Sequence, residues 1–327
     1  MAADLKRIEG RNFLIIGRAG MDMYAHPPGV KTEDAEYFYS ALGGSSANIG
    51  VALVKLGSKA SLVTSVSDDS VGRYCLNQLD HYGVDRTFVR SVAGEERNSL
   101  AVLETTNIDH QSVIYRNNAA DFQMTVEDVR KPDYTAYSAA ITTGTVFAGQ
   151  PSRDAAFVAF DLAKEAGLPV IFDIDYRPYS WTSGAEAAEV YSRAASYCDI
   201  VIGNDDEFGV MAGDYDIGLA FAENLAKTSA QIVVYKMGHL GSITFTQDGS
   251  FKTGIFPVDA LKPTGAGDSF MGAFIASMAA GMDVQTCVER GSAAAAIVVS
   301  NVACAPAMPT PDILEDFIAS HPGITKP

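Results

Sequence analysis

The stretch LKPTGAGDSFMGAF, residues 261–274, places a proline and two glycines directly before an apolar run. Pro263 disfavours the helical conformation at Lys262, while Gly265 and Gly267 allow backbone geometry and close approach that a Cβ would block. The run SFMGAFIASMAAG that follows is typical of a helix. The stretch therefore predicts a tight turn that leads into the N-terminus of a helix.

The same turn predicts a site for an anion. The N–H groups of Gly265, Ala266, Gly267 and Asp268 are expected to point into one concavity, which carries positive partial charge. Fixed donors of this kind stabilise the equatorial oxygens of a transferring phosphoryl group. The helix dipole should hold Asp268 ionised, so that it can accept the proton of an attacking hydroxyl. The alternative is that Asp268 only caps a helix after a tight turn.

Outward from this stretch, the chain alternates short β-branched runs with longer segments of helical spacing. This order predicts an α/β fold with a mostly parallel sheet that has helices on both faces and binds ligands at the carboxyl ends of its strands. The predicted strands are 11–17, 60–66, 138–144, 168–175, 199–204 and 231–238, and the predicted helices are 45–57, 69–83, 152–167, 184–198 and 216–230.

One region departs from this alternation. Residues 96–122 alternate polar and apolar side chains on both sides of a turn near residues 107–111, which predicts an antiparallel hairpin with one solvated face. Residues 23–44 are also not helical in pattern. We therefore expect a single domain over residues 1–327, with a small β lid from segments of about 18–44 and 96–122 that covers the carboxyl edge of the sheet.

Charge and cysteine content exclude several classes of function. The chain has 24 basic and 40 acidic residues, and its net charge of −16 repels nucleic acid and anionic lipid. The apolar run near the N-terminus is too short to span a membrane. Four widely spaced cysteines predict neither a disulfide framework nor a zinc site. We expect a cytoplasmic protein that binds a small molecule.

Two further motifs make the prediction specific. GGSSANIGVALVKLG (43–57) and KPTGAGDSFMGAF (262–274) resemble the two signatures of the ribokinase-like carbohydrate kinases, the PfkB family, over essentially the whole chain. The resemblance implies a ribokinase-like three-layer sandwich and a kinase that uses ATP and Mg²⁺, with a monovalent cation as a further candidate. In that family Asp and Thr usually stand where this chain has Lys262 and Pro263. In this respect the chain resembles the branch of the family that phosphorylates 5-dehydro-2-deoxygluconate in inositol catabolism. The stretches GRAGMDMY, YRNNAAD and DIDYRPYSW resemble the same branch.

The resemblance also implies site residues. Asp268 matches the catalytic base, and the three residues before it match the anion hole. The sugar-binding positions are matched by Asp22, Gly43, Gly44 and Asn48. Six residues match positions that bind the nucleotide: Asn204 and Glu207 in NDDE, Lys236, Gly238 and Gly241 in KMGHLG, and Thr264. Asn204 and Glu207 also match positions that bind magnesium, largely through water. Taken alone, NDDE can also be an acidic loop that caps a helix, and KMGHLG a simple strand connection.

Three arginines, Arg18, Arg116 and Arg177, follow or interrupt predicted strands where the pocket should lie. A guanidinium can hold a carboxylate with two hydrogen bonds, so converging arginines favour a sugar acid over a neutral sugar. Arg116 and Arg177 coincide with positions that bind keto-sugar acids in related kinases. The alternative is that all three are solvated arginines in loops.

The predicted reaction is therefore phosphorylation of the terminal C6 hydroxyl of 5-dehydro-2-deoxy-D-gluconate. Rival substrates are 2-keto-3-deoxygluconate and then fructose or another sugar, and a non-catalytic sugar or nucleotide sensor is the rival of a different class. A nicotinamide-dependent dehydrogenase is disfavoured because GAGDSF lacks the third glycine of GxGxxG and lies far from the first βα unit. No GxxxxGK[ST] motif is present. Members of the PfkB family often pair through the lid, so the resemblance also implies a homodimer.

Overall fold

The computed structural model of the chain describes residues 3–106 and 110–321. Within those residues it contains two sheets. Their strands are β1 (Asn12–Ile16), β2 (Gly20–His26), β3 (Tyr37–Gly43), β4 (Lys59–Ser67), β5 (Val89–Val92), β6 (Leu100–Leu103), β7 (Ser112–Tyr115), β8 (Ala139–Thr143), β9 (Val170–Asp173), β10 (Ile200–Asn204), β11 (Ile232–Lys236), β12 (Ser242–Thr246) and β13 (Gly249–Thr253).

The larger sheet has nine strands in the order β13-β12-β11-β10-β9-β8-β1-β4-β5. All neighbours from β5 to β11 are parallel, whereas β12 pairs antiparallel with both β11 and β13. The chain leaves β1 toward β4 on one side and returns to β8 on the other. This reversal opens a crevice at the carboxyl end of β1, where open α/β sheets bind their ligands.

Helices cover both faces of this sheet, as predicted. They are α1 (Ser45–Lys55), α2 (Ser70–Tyr82), α3 (Val126–Val129), α4 (Ser152–Glu165), α5 (Gly184–Tyr197), α6 (Asp205–Ala212), α7 (Gly218–Thr228), α8 (Ala266–Ala279), α9 (Val284–Val299), α10 (Cys304–Ala307) and α11 (Pro311–Ser320). Phe13 and Ile15 of β1 pack with α1, α2, α8 and α9. Leu14 and Ile16 point to the other face and pack with α4, α5, α6 and α7. The three-layer sandwich is therefore confirmed.

The smaller sheet has four strands in the order β3-β2-β6-β7. Strand β2 pairs antiparallel with β3 and parallel with β6, and β6 and β7 form the predicted antiparallel pair. Residues 107–109 of the predicted turn lie outside the described residues. One face of the sheet joins the core beneath α1 through side chains such as Tyr24, Ala41 and Leu103. Buried and half-buried side chains alternate along β6, which reflects one buried face.

Some elements were not predicted. The β12–β13 hairpin is short and partly exposed, so its pattern is weak. Helix α6 begins with three acidic residues that resemble a solvated loop. Among the described residues, no helix has both the length and the apolar character needed to cross a membrane.

Candidate active site

The GAGD stretch forms the turn before α8 and its first residues. Gly265 is the N-cap, with a left-handed backbone (φ 86°), and the helix begins at Ala266 without a side-chain cap. A Cβ on Gly265 would lie 2.5 Å from Cys304 Sγ, so glycine is required by both conformation and space. The carbonyl oxygen of Thr264 accepts a hydrogen bond from Lys262 Nζ at 2.6 Å. Because the first N–H groups of a helix lack intrahelical acceptors, this end can bind an anion.

Asp268 lies on the first turn of α8 and contacts the other sequence signature. Asn48 Nδ2 of α1 donates to Asp268 Oδ2 at 2.8 Å. Burial raises the pKa of Asp268 to about 7, with Asp175 adding to the rise and the hydrogen bond from Asn48 opposing it. The prediction that the helix dipole holds this carboxyl ionised left out burial, which favours the protonated form and raises the pKa toward neutrality.

Asp22 of β2 accounts for Gly43, and the backbone of Arg18 accounts for Gly44, the two glycines of the first signature. A Cβ on Gly43 would lie 1.9 Å from Asp22 Oδ1, and one on Gly44 (φ 91°) would lie 2.6 Å from the Arg18 carbonyl oxygen. The Tyr24 hydroxyl donates to Asp22 Oδ2 at 3.0 Å. Burial raises the pKa of Asp22, while Arg18 and the Tyr24 hydrogen bond oppose the rise. The four predicted sugar-binding positions thus lie next to one another at the start of α1.

Arg18 and Arg116 are both buried, yet each keeps unused donors. Arg18 Nη1 donates to Ser99 Oγ at 3.1 Å, and Arg116 Nη2 donates to the Thr145 carbonyl oxygen at 2.9 Å and pairs with Asp121. No described residue accepts from Arg18 Nε or from Arg116 Nε and Nη1. Burial lowers the pKa of Arg116 and the charge of Arg18 lowers it further, against the opposing effect of Asp121. Two guanidinium groups therefore face one region with free N–H groups.

Arg177 is the most accessible of the three arginines. Its Nη2 pairs with Asp175 Oδ1 at 2.6 Å, and its Nη1 donates to the Tyr176 carbonyl oxygen at 3.0 Å. Burial alone would raise the pKa of Asp175, but Arg177, Arg18 and Arg116 contribute to an overall decrease. The three predicted arginines therefore do converge, because the charges of all three act on Asp175. We did not predict Asp175 as a site residue.

On the opposite side of Asp268, the α8 turn faces Lys236 at the end of β11. A Cβ on Gly267 would lie 3.7 Å from Lys236 Nζ and 3.9 Å from Asp173 Oδ2. Asp173 is buried, and its pKa is raised by burial and by the nearby carboxyls of Glu207 and Asp268, while Lys236 opposes this rise. We did not predict Asp173, although its position as the polar end of a buried strand was a usable signal.

The NDDE motif forms the start of α6. Asn204 Oδ1 accepts from the Glu207 N–H at 2.8 Å, and Glu207 Oε2 accepts from the Asn204 N–H at 2.7 Å. Glu207 Oε1 accepts from the Tyr176 N–H at 3.1 Å. The motif is therefore a reciprocal capping box, as its structural alternative predicted. In the described parts of the chain, no group of three or more His, Cys, Asp or Glu side chains is arranged to hold a metal ion directly.

The KMGHLG segment forms a tight turn between β11 and β12. The Met237 N–H donates to the Gly241 carbonyl oxygen at 2.8 Å, and both Gly238 (φ 55°) and Gly241 (φ 85°) have left-handed backbones. A Cβ on Gly241 would lie 2.1 Å from the Thr253 carbonyl oxygen, whereas one on Gly238 would meet nothing within 4 Å. Gly241 is thus required by packing, while Gly238 leaves open space on the outer side of the turn.

The predicted residues therefore form two groups on either side of Asp268. Arg18, Arg116, Asp22 and Asn48 lie on the side of the small sheet, and Asn48 contacts Asp268 directly. Arg177, beyond β9, lines a pocket together with Asn204 and Glu207. Lys236 and the NDDE box lie at the ends of β11 and β10. A carboxyl with a pKa near neutrality at a helix N-terminus, between cationic groups, is suited to accept a proton beside a bound phosphoryl group.

Comparison with known proteins identifies the family to which this chain belongs. The profile of the pfkB family carbohydrate kinases matches residues 11–311. The chain therefore belongs to the pfkB family, and the protein is a sugar kinase.

Individual relatives show which kinases this chain is similar to in sequence and in fold. A 5-dehydro-2-deoxygluconokinase from Photobacterium profundum is 39% identical over 315 residues, which cover 94% of this chain and 95% of that protein. Another from Geobacillus thermodenitrificans is 36% identical over 313 residues, with coverage of 94% and 93%. The crystal structure of fructokinase with bound ATP from Xylella fastidiosa has a TM-score of 0.84 at 21% identity and covers 95% of this chain and 99% of that chain. The chain is thus similar to kinases of one sugar acid.

Proposed function

We propose that the protein transfers the γ-phosphoryl group of ATP to the C6 hydroxyl of 5-dehydro-2-deoxy-D-gluconate. The contact between Asn48 and Asp268 carries this proposal, because it joins the two sequence signatures at one carboxyl whose pKa is raised to about 7 by burial. Such a group can take a proton near neutral pH. Two relatives named 5-dehydro-2-deoxygluconokinase support the choice of sugar acid.

In the proposed step, Asp268 accepts the proton of the attacking hydroxyl as its oxygen bonds to the γ-phosphorus. The bond from that phosphorus to the β,γ-bridging oxygen breaks, and ADP leaves. The N–H groups at Gly265 to Gly267 and the Lys236 ammonium stabilise the equatorial oxygens; one such donor is typically worth about 3 kcal/mol of barrier. ATP is bound in the X. fastidiosa fructokinase, whose fold this chain shares.

The acidic groups beside Lys236 fit a magnesium ion bound mostly through water. Burial and mutual repulsion raise the pKa of Asp173, and burial also raises that of Glu207, so an added cation there would be favourable. Asn204, Glu207 and Asp173 would hold the ion, consistent with the few protein ligands that Mg²⁺ needs. When bound, the ion would neutralise phosphate charge.

The arginines support a carboxylate in the substrate. Arg18 Nε and two nitrogens of Arg116 are buried without acceptors, which is unfavourable unless a ligand supplies one. A planar carboxylate matches these donors, whereas a neutral sugar would leave Arg18 without an ion-pair partner; Arg116 already pairs with Asp121. The same argument supports 2-keto-3-deoxygluconate as the second candidate substrate.

We further propose that the small sheet β3-β2-β6-β7 acts as the lid of a single catalytic domain. It carries Asp22 on β2, and Arg18 and Arg116 lie directly beyond the ends of β1 and β7. Closure of such an element would exclude water, which competes with the sugar hydroxyl as a nucleophile. We also propose that two copies pair through its exposed edge strands, β3 and β7.

The proposed function is tested by ADP release with Mg·ATP and a panel of 5-dehydro-2-deoxygluconate, 2-keto-3-deoxygluconate, fructose and ribose. We expect the first sugar acid to have the highest kcat/KM, and Asp268→Asn to abolish turnover in a folded protein. A preference for 2-keto-3-deoxygluconate would favour the second candidate. Turnover of neutral sugars alone would refute the role of the arginines, and an active Asp268→Asn variant would refute the role of Asp268.

A further inference from the structure

Lys262 is a fully buried cation at the entry to α8. Its side chain is 0% exposed. Nζ donates to the Thr264 carbonyl oxygen at 2.6 Å, lies 3.5 Å from Cys304 Sγ, and lies 5.9 Å from the centre of the Tyr24 ring. An ammonium is costly to bury without strong partners. Packing alone therefore does not explain a lysine here.

The surroundings of Lys262 link three parts of the molecule. The Tyr24 hydroxyl of β2 donates to Asp22 Oδ2 at 3.0 Å and also contacts Cys304 Sγ, at the start of α10, at 3.1 Å. Burial raises the pKa of Asp22, and Lys262 is one of the charges that oppose this rise. The ammonium thus lies between the small sheet, the segment that leads into α8 and the residues that follow α9.

The strong hydrogen bond from Lys262 acts on one peptide group. The Thr264 carbonyl and the Gly265 N–H belong to the same peptide, so a cation bound to that oxygen polarises the amide and makes its N–H a stronger donor. Gly265 is also the N-cap of α8. Lys262 therefore affects the anion-binding end of α8 by polarising one peptide group, and it does so without contacting a bound anion.

We propose that Lys262 is a positioning residue of the phosphoryl transfer, which fixes the Thr264–Gly265 peptide and strengthens the Gly265 N–H as a donor to the transferring group. This proposal rests on the proposed kinase function. The polarised Gly265 N–H stabilises the charge that develops on the phosphoryl oxygens in the transition state. Loss of the cation should therefore lower kcat more than it changes substrate binding.

The first test is Lys262→Met, which keeps most of the length of the unbranched side chain and removes its charge. We expect kcat to fall about 10- to 100-fold, less than the 10²- to 10³-fold typical when an oxyanion-hole donor is removed outright. KM values for ATP and sugar acid should stay within about twofold, as expected when an interaction acts mainly in the transition state. A kcat within about threefold of the wild type, or a loss confined to KM, would overturn the proposal.

Lys55→Met is the matched control. Lys55 Nζ of α1 donates to the carbonyl oxygens of Ala305, Pro306 and Met308. It thus holds the segment that follows Cys304, but it has no contact with the α8 turn among the described residues. We expect this variant to unfold at a lower temperature and to keep the kcat of the wild type. An equal loss of kcat in both variants would show that Lys262 acts only through folding.

Chemical rescue provides a second readout if Lys262→Met proves unstable. Lys262→Ala leaves space in which a small alkylammonium ion can donate to the Thr264 carbonyl oxygen. We expect n-propylammonium to restore kcat in Lys262→Ala but not in Asp268→Asn, with tetramethylammonium, which has no N–H donor, as the inactive analogue. No recovery with n-propylammonium would overturn the proposal. A wild-type protein without activity on any sugar acid would instead refute the proposed function.

Discussion

At the scale of single residues, Asp268 should control the pH dependence of the reaction. Its pKa is raised to about 7 by burial, and only the ionised carboxylate can accept a proton. Activity should therefore fall as the pH decreases below 7 and level off above it. We expect kcat/KM measured from pH 5.5 to 8.5 to follow one ionisation near 7, falling about tenfold per pH unit on the acidic side.

A change at Asn48 tests the cause of this pKa. The Asn48 hydrogen bond favours the ionised form of Asp268 and opposes the effect of burial. Asn48→Ala should therefore move the inflection to higher pH. Asn301→Ala is the control, since within residues 3–106 and 110–321 the Asn301 Nδ2 donates only to the Ile297 carbonyl oxygen in α9. A profile that is flat across this range, or an inflection near pH 4, would contradict the assignment.

Arg18 should determine the preference for a sugar acid. Among the described residues its side chain forms a hydrogen bond only with the Ser99 hydroxyl, so Arg18→Met breaks no ion pair, although it removes a charge that favours ionised Asp22 and Asp175. Loss of a charge-assisted hydrogen bond costs about 1.5–3 kcal/mol, which corresponds to a rise in KM for the sugar acid of about 10- to 100-fold. Steady-state kinetics with the sugar acid and with fructose should show a selective loss for the acid.

Arg290→Met is the control for this prediction. Arg290 pairs with Glu315 at 2.6 Å, between α9 and α11, and its replacement should leave both KM values unchanged. If Arg18→Met weakened fructose and sugar acid equally, Arg18 would be acting on the shape of the pocket and not on the carboxylate.

At the scale of elements, the turn into α8 depends on Gly265. Gly265→Ala should strain the left-handed backbone, at about 1–2 kcal/mol, and also push Cβ against Cys304 Sγ. Gly213→Ala, after α6, is the matched control because its φ of 76° is similar and no atom lies within 4 Å of a Cβ there.

Urea denaturation and kcat together separate these effects. We expect both variants to lose free energy of unfolding, Gly265→Ala the more, while only Gly265→Ala lowers kcat, by about 10²-fold or more, because the anion-binding N–H groups move. Equal stability losses with unchanged kcat in both would show that the turn tolerates a Cβ.

At the scale of the whole molecule, the exposed apolar side chains on the two edge strands of the small sheet predict self-association. Tyr37 and Tyr39 of β3 are 54% and 45% exposed, and Val113 and Tyr115 of β7 are 50% and 60% exposed. Large exposed side chains on both edge strands are unfavourable in water and mark an interaction surface. Analytical ultracentrifugation should therefore show a dimer that Tyr39→Glu with Tyr115→Glu dissociates.

Ile313→Glu, on the exposed side of α11, is the control for dimerisation. It introduces the same charge on a similarly exposed apolar position and should leave the sedimentation coefficient unchanged. A wild-type protein that sediments as a monomer across micromolar concentrations would refute pairing through this sheet.

The order of strands and helices could be predicted because it depends on local spacing. The buried strands have near-continuous apolar runs, and Gly57, Gly83 and Gly167 end predicted helices with left-handed backbones. The turn at Gly265 was equally predictable, since a proline and two glycines restrict the backbone by themselves. Helix α6 was missed because its first turn consists of acidic residues, which are also common in loops.

The sequence by itself determined the α/β alternation, the α8 turn, and the residue types available for phosphoryl transfer. Only the tertiary structure decided how these residues act on one another. It brought Asn48 to Asp268, placed Asp173 beside Lys236, and buried Lys262 against the Thr264 carbonyl oxygen. The physical reason is that a pKa or the strength of a hydrogen bond depends on burial and on neighbouring charges, which come from residues far apart in the chain.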